Sequence, residues 1–99
     1  MVNSTVQVLA RVVALSGKED AVGSLLLQLV EPTRQEEGCI RYELLQNHAE
    51  PTEFIFTEEW ENEVALMAHL DSIHLQEIFL EVGKLLAAPP VIHRYQLLA

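Results

Sequence analysis

From Val6 to Leu15 the chain is almost continuously apolar, broken only by Gln7 and Arg11, and then the spacing changes. Val22, Leu25, Leu26, Leu29 and Val30 recur at the three- and four-residue intervals of a helix. A strand pattern that gives way to an amphipathic helix restricts how the remaining segments can be arranged. The first run reads as a strand buried on both faces or nearly so. Ser16-Gly17-Lys18-Glu19 has the form of a capping box, with Ser16 placed to accept an orphan N–H and Glu19 to reach back. Pro32 kinks or restarts the helix, since it lacks an N–H yet fits a first turn. Gly38 supplies a stop.

Cys39 to Gln46 places Ile40, Tyr42 and Leu44 on one parity, and Phe54-Ile55-Phe56-Thr57 continues with strand-favouring types as far as Trp60. Asn47-His48-Ala49-Glu50-Pro51 supplies turn residues between them, so the pair reads as an antiparallel hairpin. Asn62 can cap a helix carrying Val64, Ala65, Leu66, Met67 and Leu70, and Ser72 a second one carrying Ile73, Ile78, Phe79, Val82, Leu85 and Leu86. Pro89-Pro90 halts it, and Val91 to Leu98 reads as a last strand with His93 and Tyr95 on one parity.

Strand, helix, strand, strand, helical segment, strand is the order of an α+β ferredoxin-like split βαβ sandwich, a four-stranded antiparallel sheet with helices on one face. The expected organisation is a single domain over residues 1–99 with its core in about 6–98. Helices can cover only one sheet face, yet Phe54-Ile55-Phe56 is apolar on both parities. A second copy packed sheet to sheet is the simplest cover, so a homodimer is expected.

Fifteen acids against six bases, a net charge of −9, argue against a nucleic-acid footprint and against anionic membranes. Cys39 is the single cysteine, which excludes an internal disulfide and a cysteine-based metal site. Met1 to Ala10 has no basic residue ahead of its apolar run, and no apolar stretch approaches the ~20 residues that span a bilayer. The expectation is a soluble cytoplasmic protein.

The residues that carry chemistry gather between Glu58 and His74. His69 and His74 stand five apart, not the i, i+4 spacing of a metal pair on one helical face, so no metal site is expected. With Ser72 between them they can still converge from two helix ends. A histidine titrates near neutrality and can take a phenolic proton, leaving an electron-rich anion that reacts with dioxygen directly. The plainer alternative is a helix-terminal histidine bonded to a backbone carbonyl. Trp60 can stack on a planar ring or sit in the core. Glu58 shares parity with Trp60 and Glu59 takes the other, so one of the two acids points into the helix-covered space, where burial would suit it to proton transfer. His74, His69 and Glu59 are the catalytic candidates. Trp60, Tyr42, Glu58 and Arg34 are candidates for substrate binding; Arg34 could hold an anionic group or pair at the surface with Glu36. His48, His93 and Cys39 are tied to no chemistry.

Glu31-Pro32-Thr33-Arg34-x-Glu36-x-Gly38-Cys39-x-x-Tyr42, Pro51-Thr52-x-Phe54, Glu58-x-Trp60 and His69-Leu70-x-Ser72-x-His74, in that order and spacing, closely resemble the antibiotic biosynthesis monooxygenase domain family. The likeness runs from about Val6 to Leu98 and adds Phe54 to the substrate-binding candidates. It implies a small dimeric α+β barrel. Family members include cofactor-independent monooxygenases of phenols or quinols, isomerases acting on signalling sugars, and haem-degrading enzymes. The haem degraders have an asparagine where this chain has Ala10 and a tryptophan near His69, so haem is not expected. Polyketide oxidisers have an asparagine at the position of Phe56 and a tyrosine at that of Leu66. The reading implied is a cofactor-independent monooxygenase that takes a small phenol or quinol, with dioxygen as co-substrate. An isomerase on the same site is one alternative, and a dimeric module that binds an apolar metabolite without chemistry is another.

Overall fold

The computed structural model describes residues 5–99. Residues 1–4, the start of the expected domain and of the stretch read as lacking a leader, lie outside the described residues. Strand β1 spans Val6–Val13, followed by helices α1 (Glu19–Leu27) and α2 (Val30–Arg34). Strands β2 (Cys39–Gln46) and β3 (Glu53–Trp60) form the hairpin, and helices α3 (Glu63–Leu70) and α4 (Ile73–Val82) precede β4 (Val91–Tyr95). The sheet order is β2-β3-β1-β4, with every neighbouring pair antiparallel. This is the ferredoxin-like α+β arrangement that the alternation of patterns predicts.

Side-chain parity explains the layering. Val6, Val8, Ala10 and Val12 of β1 face the helices with Phe54, Phe56, Glu58 and Trp60 of β3, all buried. Val22, Leu26 and Leu29 seal this face at 0% exposure, each burial contributing about 1.5–3 kcal/mol. The other face stays open: Leu9, Leu45 and Val91 are 42%, 52% and 43% exposed. β1 therefore alternates, which corrects the reading of a strand buried on both faces. Ile40 is also exposed, because the register shifts between Cys39 and Arg41 and breaks its parity with Tyr42.

The helix boundaries show which local signals are satisfied. Asn62 caps α3, its Oδ1 accepting from Ala65 N at 2.9 Å. Pro32 sits in the first turn of α2, where its missing N–H removes no helical bond, so the helix restarts rather than kinks. Ser16 caps nothing: α1 begins at Glu19, and the Glu19 carboxylate accepts from Gly17 N at 3.0 Å instead. Ser72 occupies the cap position of α4 without a capping bond, and its hydroxyl lies 3.4 Å from His74 Nε2. β4 stops at Tyr95, short of Leu98. Among the described residues no helix is long and apolar enough to cross a membrane.

Candidate functional site

A cavity of about 280 Å³ lies between the sheet and α4. Val8, Ala10, Phe56 and Ile92 line its sheet side, and Leu70, Leu75, Gln76 and Phe79 its helix side. Three titratable side chains reach the same space: Tyr42, Glu58 and His69.

Glu58 is there because β3 turns every second residue toward the helices, and it pairs across the sheet with Val8 and Tyr42. It is 4% exposed, and its Oε1 accepts from Trp60 Nε1 at 2.9 Å. Burial pushes its carboxyl up to about 7, with the Glu36 charge adding to the rise, while the Trp60 bond and Arg41 work the other way. Burial and the neighbouring Glu58 likewise raise the Tyr42 phenol far above its ordinary range.

His69 lies in the last turn of α3 and is 2% exposed. Its ring stacks on Trp60 with centroids 4.6 Å apart and meets Tyr42 edge-on at 5.5 Å. Burial lowers its pKa, with Glu36 pulling the other way. Nδ1 lies 3.1 Å and 3.2 Å from the two Glu36 oxygens. Glu36 stands in the turn between α2 and β2, and its Oε2 also lies 2.5 Å from His74 Nε2. One carboxylate thus joins two imidazoles drawn from different helices. Each of the three offers one ligand atom, all within 4.8 Å of one another, so they also form a group that could hold a metal ion.

The expected residues separate into distinct places. Glu58, Tyr42 and His69 meet at the cavity, while His74 lies beyond it across Glu36. Trp60 is 0% exposed and lies beneath His69, which removes it as a surface for a substrate ring. Its effect on the cavity passes through Glu58 and His69. Glu59 faces the open side of the sheet and accepts from Thr5 Oγ1 at 2.9 Å, so it is not brought to the histidines; of the two adjacent acids, Glu58 is the one in the cavity. Arg34 donates from Nε to the Tyr42 carbonyl at 3.1 Å and lies 3.5 Å from Glu31, not paired with Glu36. Phe54 is buried at the far end of β3, beside Gly23 of α1 and away from the cavity. Burial and the Glu36 and Glu58 charges raise the Cys39 thiol, which disfavours the nucleophilic thiolate.

Glu36 is the residue that spacing did not single out. Its only sequence signal is its place in the Arg34-x-Glu36-x-Gly38 motif, because its partners are 33 and 38 residues away.

The family model described as antibiotic biosynthesis monooxygenase matches residues 5–79. The "Putative monooxygenase Rv0793" of Mycobacterium tuberculosis is 33% identical over 89 residues, 90% of this chain and 87% of that protein. Its solved structure superposes with a TM-score of 0.89 at 30% identity, covering 97% of each chain. The structure of PA3566 from Pseudomonas aeruginosa gives a TM-score of 0.91 at 27% identity, covering 100% of this chain and 99% of that one. "Uncharacterized protein sll1783" of Synechocystis is 32% identical over 80 residues, 81% of this chain; the match spans about half of that relative's length (54%).

Proposed function

Because the chain belongs to the antibiotic biosynthesis monooxygenase family, we propose that it is a monooxygenase that oxidises a small phenol or quinol held in the cavity. The observation that carries this reading is an apolar space of about 280 Å³ into which Glu58 and His69 both face. A cavity of roughly 150 Å³ suffices for benzene, so this one has room for a substituted or fused aromatic ring. Phe56 and Phe79 supply apolar walls, and a carboxyl poised near 7 is suited to exchanging a phenolic proton at neutral pH.

In this scheme Glu58 takes the phenolic proton, and the resulting anion carries electron density on a ring carbon that bears hydrogen. Dioxygen bonds to that carbon and forms a hydroperoxide. Loss of the carbon-bound proton and cleavage of the O–O bond release water and leave a quinone. One oxygen atom enters the product, the other leaves as water, and the substrate supplies all the electrons. No haem or organic cofactor takes part. His69, fixed by Glu36, borders the reacting oxygen, and His74 steadies Glu36 from the other side.

Oxygen uptake over a panel of phenols and quinols tests the reading. Uptake equimolar with quinone formation, with one atom from labelled dioxygen in the product, is expected. Absence of uptake across the panel overturns it, and turnover without oxygen points to an isomerase on the same site.

The exposed Leu9, Leu45 and Val91 support a second proposal, that another copy of the chain covers the open sheet face. Sedimentation at micromolar concentration is expected to give a dimer, and a monomer would refute it. The lone Cys39 supports a cytoplasmic setting as part of the same proposal.

A further inference from the structure

We propose that Glu36, His69 and His74 form a binding site for a transition-metal dication of the zinc type, set behind the wall of the cavity. The proposal does not depend on the oxygenase reading. Sequence spacing argued against a metal because the two histidines are not on one helical face. The fold removes that objection by bringing a carboxylate from the turn before β2 between the end of α3 and the start of α4.

Around a tetrahedral ion with bonds of about 2.0–2.1 Å, ligand atoms stand roughly 3.3 Å apart. Here Glu36 Oε2 lies 3.1 Å from His69 Nδ1 and 2.5 Å from His74 Nε2, and the whole set spans no more than 4.8 Å. Small side-chain rotations therefore open the group around an ion. The least movable ligand is already aimed: His69 is clamped by Trp60 and Tyr42, which fix the direction of Nδ1. Glu36 and His74 have side chains 16% and 31% exposed, so they can adjust and they give the ion a way in from solvent.

The donor set selects the class of ion. Two imidazoles and a carboxylate, without a thiolate, suit zinc, cobalt or nickel, whereas magnesium and calcium demand more oxygen ligands. Three protein ligands leave a position for water. The Thr33 and Ser72 hydroxyls, 3.5 Å and 3.4 Å from His74 Nε2, are placed to orient that water.

His69 would use Nδ1 for the metal while its ring still lines the cavity, so the ion sits outside the substrate space. Its effect is mechanical. It ties α3, the 35–38 turn and α4 together, and α4 carries Leu75, Gln76 and Phe79 of the cavity wall. Metal binding therefore holds that wall in place.

Metal-stripped full chain titrated with Zn²⁺ by calorimetry, and with Co²⁺ by visible absorption, provides the test. Saturable binding of one ion per chain is expected, with a rise in thermal midpoint on adding Zn²⁺. Glu36→Gln and His74→Ala, at part-exposed positions that spare the core, should each weaken binding at least about tenfold and shrink the thermal shift at the same Zn²⁺ concentration. His93→Ala, on the exposed edge strand, should change neither. No saturable binding, equal binding by the ligand variants, or loss of binding in His93→Ala would overturn the site.

Discussion

The indole Nε1 of Trp60 donates to Glu58 Oε1 at 2.9 Å inside the core, two residues along the same face of β3. This bond supports the ionised carboxylate against burial, which pushes the group the opposite way. Trp60→Phe keeps an aromatic ring under His69 and deletes the donor. The Glu58 carboxyl should then rise above about 7, and any activity that requires its anion should shift its acidic limb upward in pH. Carboxyl chemical shifts followed through a pH titration give the direct measurement. An unchanged or lowered midpoint would show that the bond does not tune the group.

Glu58 also couples stability to pH. Its folded pKa, about 7, lies above the ordinary 4.5, so the folded chain holds a proton that the unfolded chain releases. The associated stability is complete below about 4.5 and is lost as pH rises through 7, amounting to about 3 kcal/mol. The groups facing Glu58 are Tyr42 from β2, Trp60 from its own strand, His69 across the cavity, and the charges of Glu36 and Arg41. Glu58→Gln should flatten this part of the profile. Urea unfolding of both proteins at intervals from pH 4.5 to 8 checks it, and parallel profiles would refute the assignment.

Ala10 sets the depth of the cavity floor at the centre of β1, paired with Phe56 and Ile92. Ala10→Leu projects three more carbons into the cavity of about 280 Å³, so the overpacking seen in filled cores is largely avoided. A phenol that binds wild type should lose about 30-fold or more in affinity, the equivalent of a ring it can no longer bury. Retained circular dichroism with lost binding is the expected pair of results. Undiminished binding would place the ligand elsewhere.

The layer order was legible because strand and helix periods alternate cleanly, from Val6–Leu15 through Val22–Val30 to Phe54–Trp60. Glu58 facing the helices was legible as one of two parities, but choosing it over Glu59 needed the register with Val8 and Tyr42. Trp60 was open to either reading, since core and ligand-facing tryptophans have the same sequence signature. Glu36 was hidden for a different reason. A carboxylate in a turn looks solvated until tertiary packing brings His69 and His74 to it, and no local period encodes that meeting. Phe54 entered through motif position and Arg34 through its charge, and neither signal distinguishes a ligand wall from support for α1 or β2.

Gly38 joins the site to the fold, standing between Glu36 and β2 with φ +85°. A Cβ there would come within 2.4 Å of the Ala65 Cβ on α3, and the backbone carbonyl of Gly38 already accepts from Glu61 N at 2.8 Å. Gly38→Ala therefore meets two separate penalties, a left-handed backbone and a collision with α3, together about 3 kcal/mol. For a domain of this size that lowers the thermal midpoint by roughly 15 °C. The two penalties can be separated by adding Ala65→Gly, which removes the collision and leaves the backbone cost. The double variant should recover part of the loss relative to Ala65→Gly alone, and differential scanning calorimetry of the four proteins gives the coupling. Strict additivity would mean that Ala65 is not what bars a side chain at position 38.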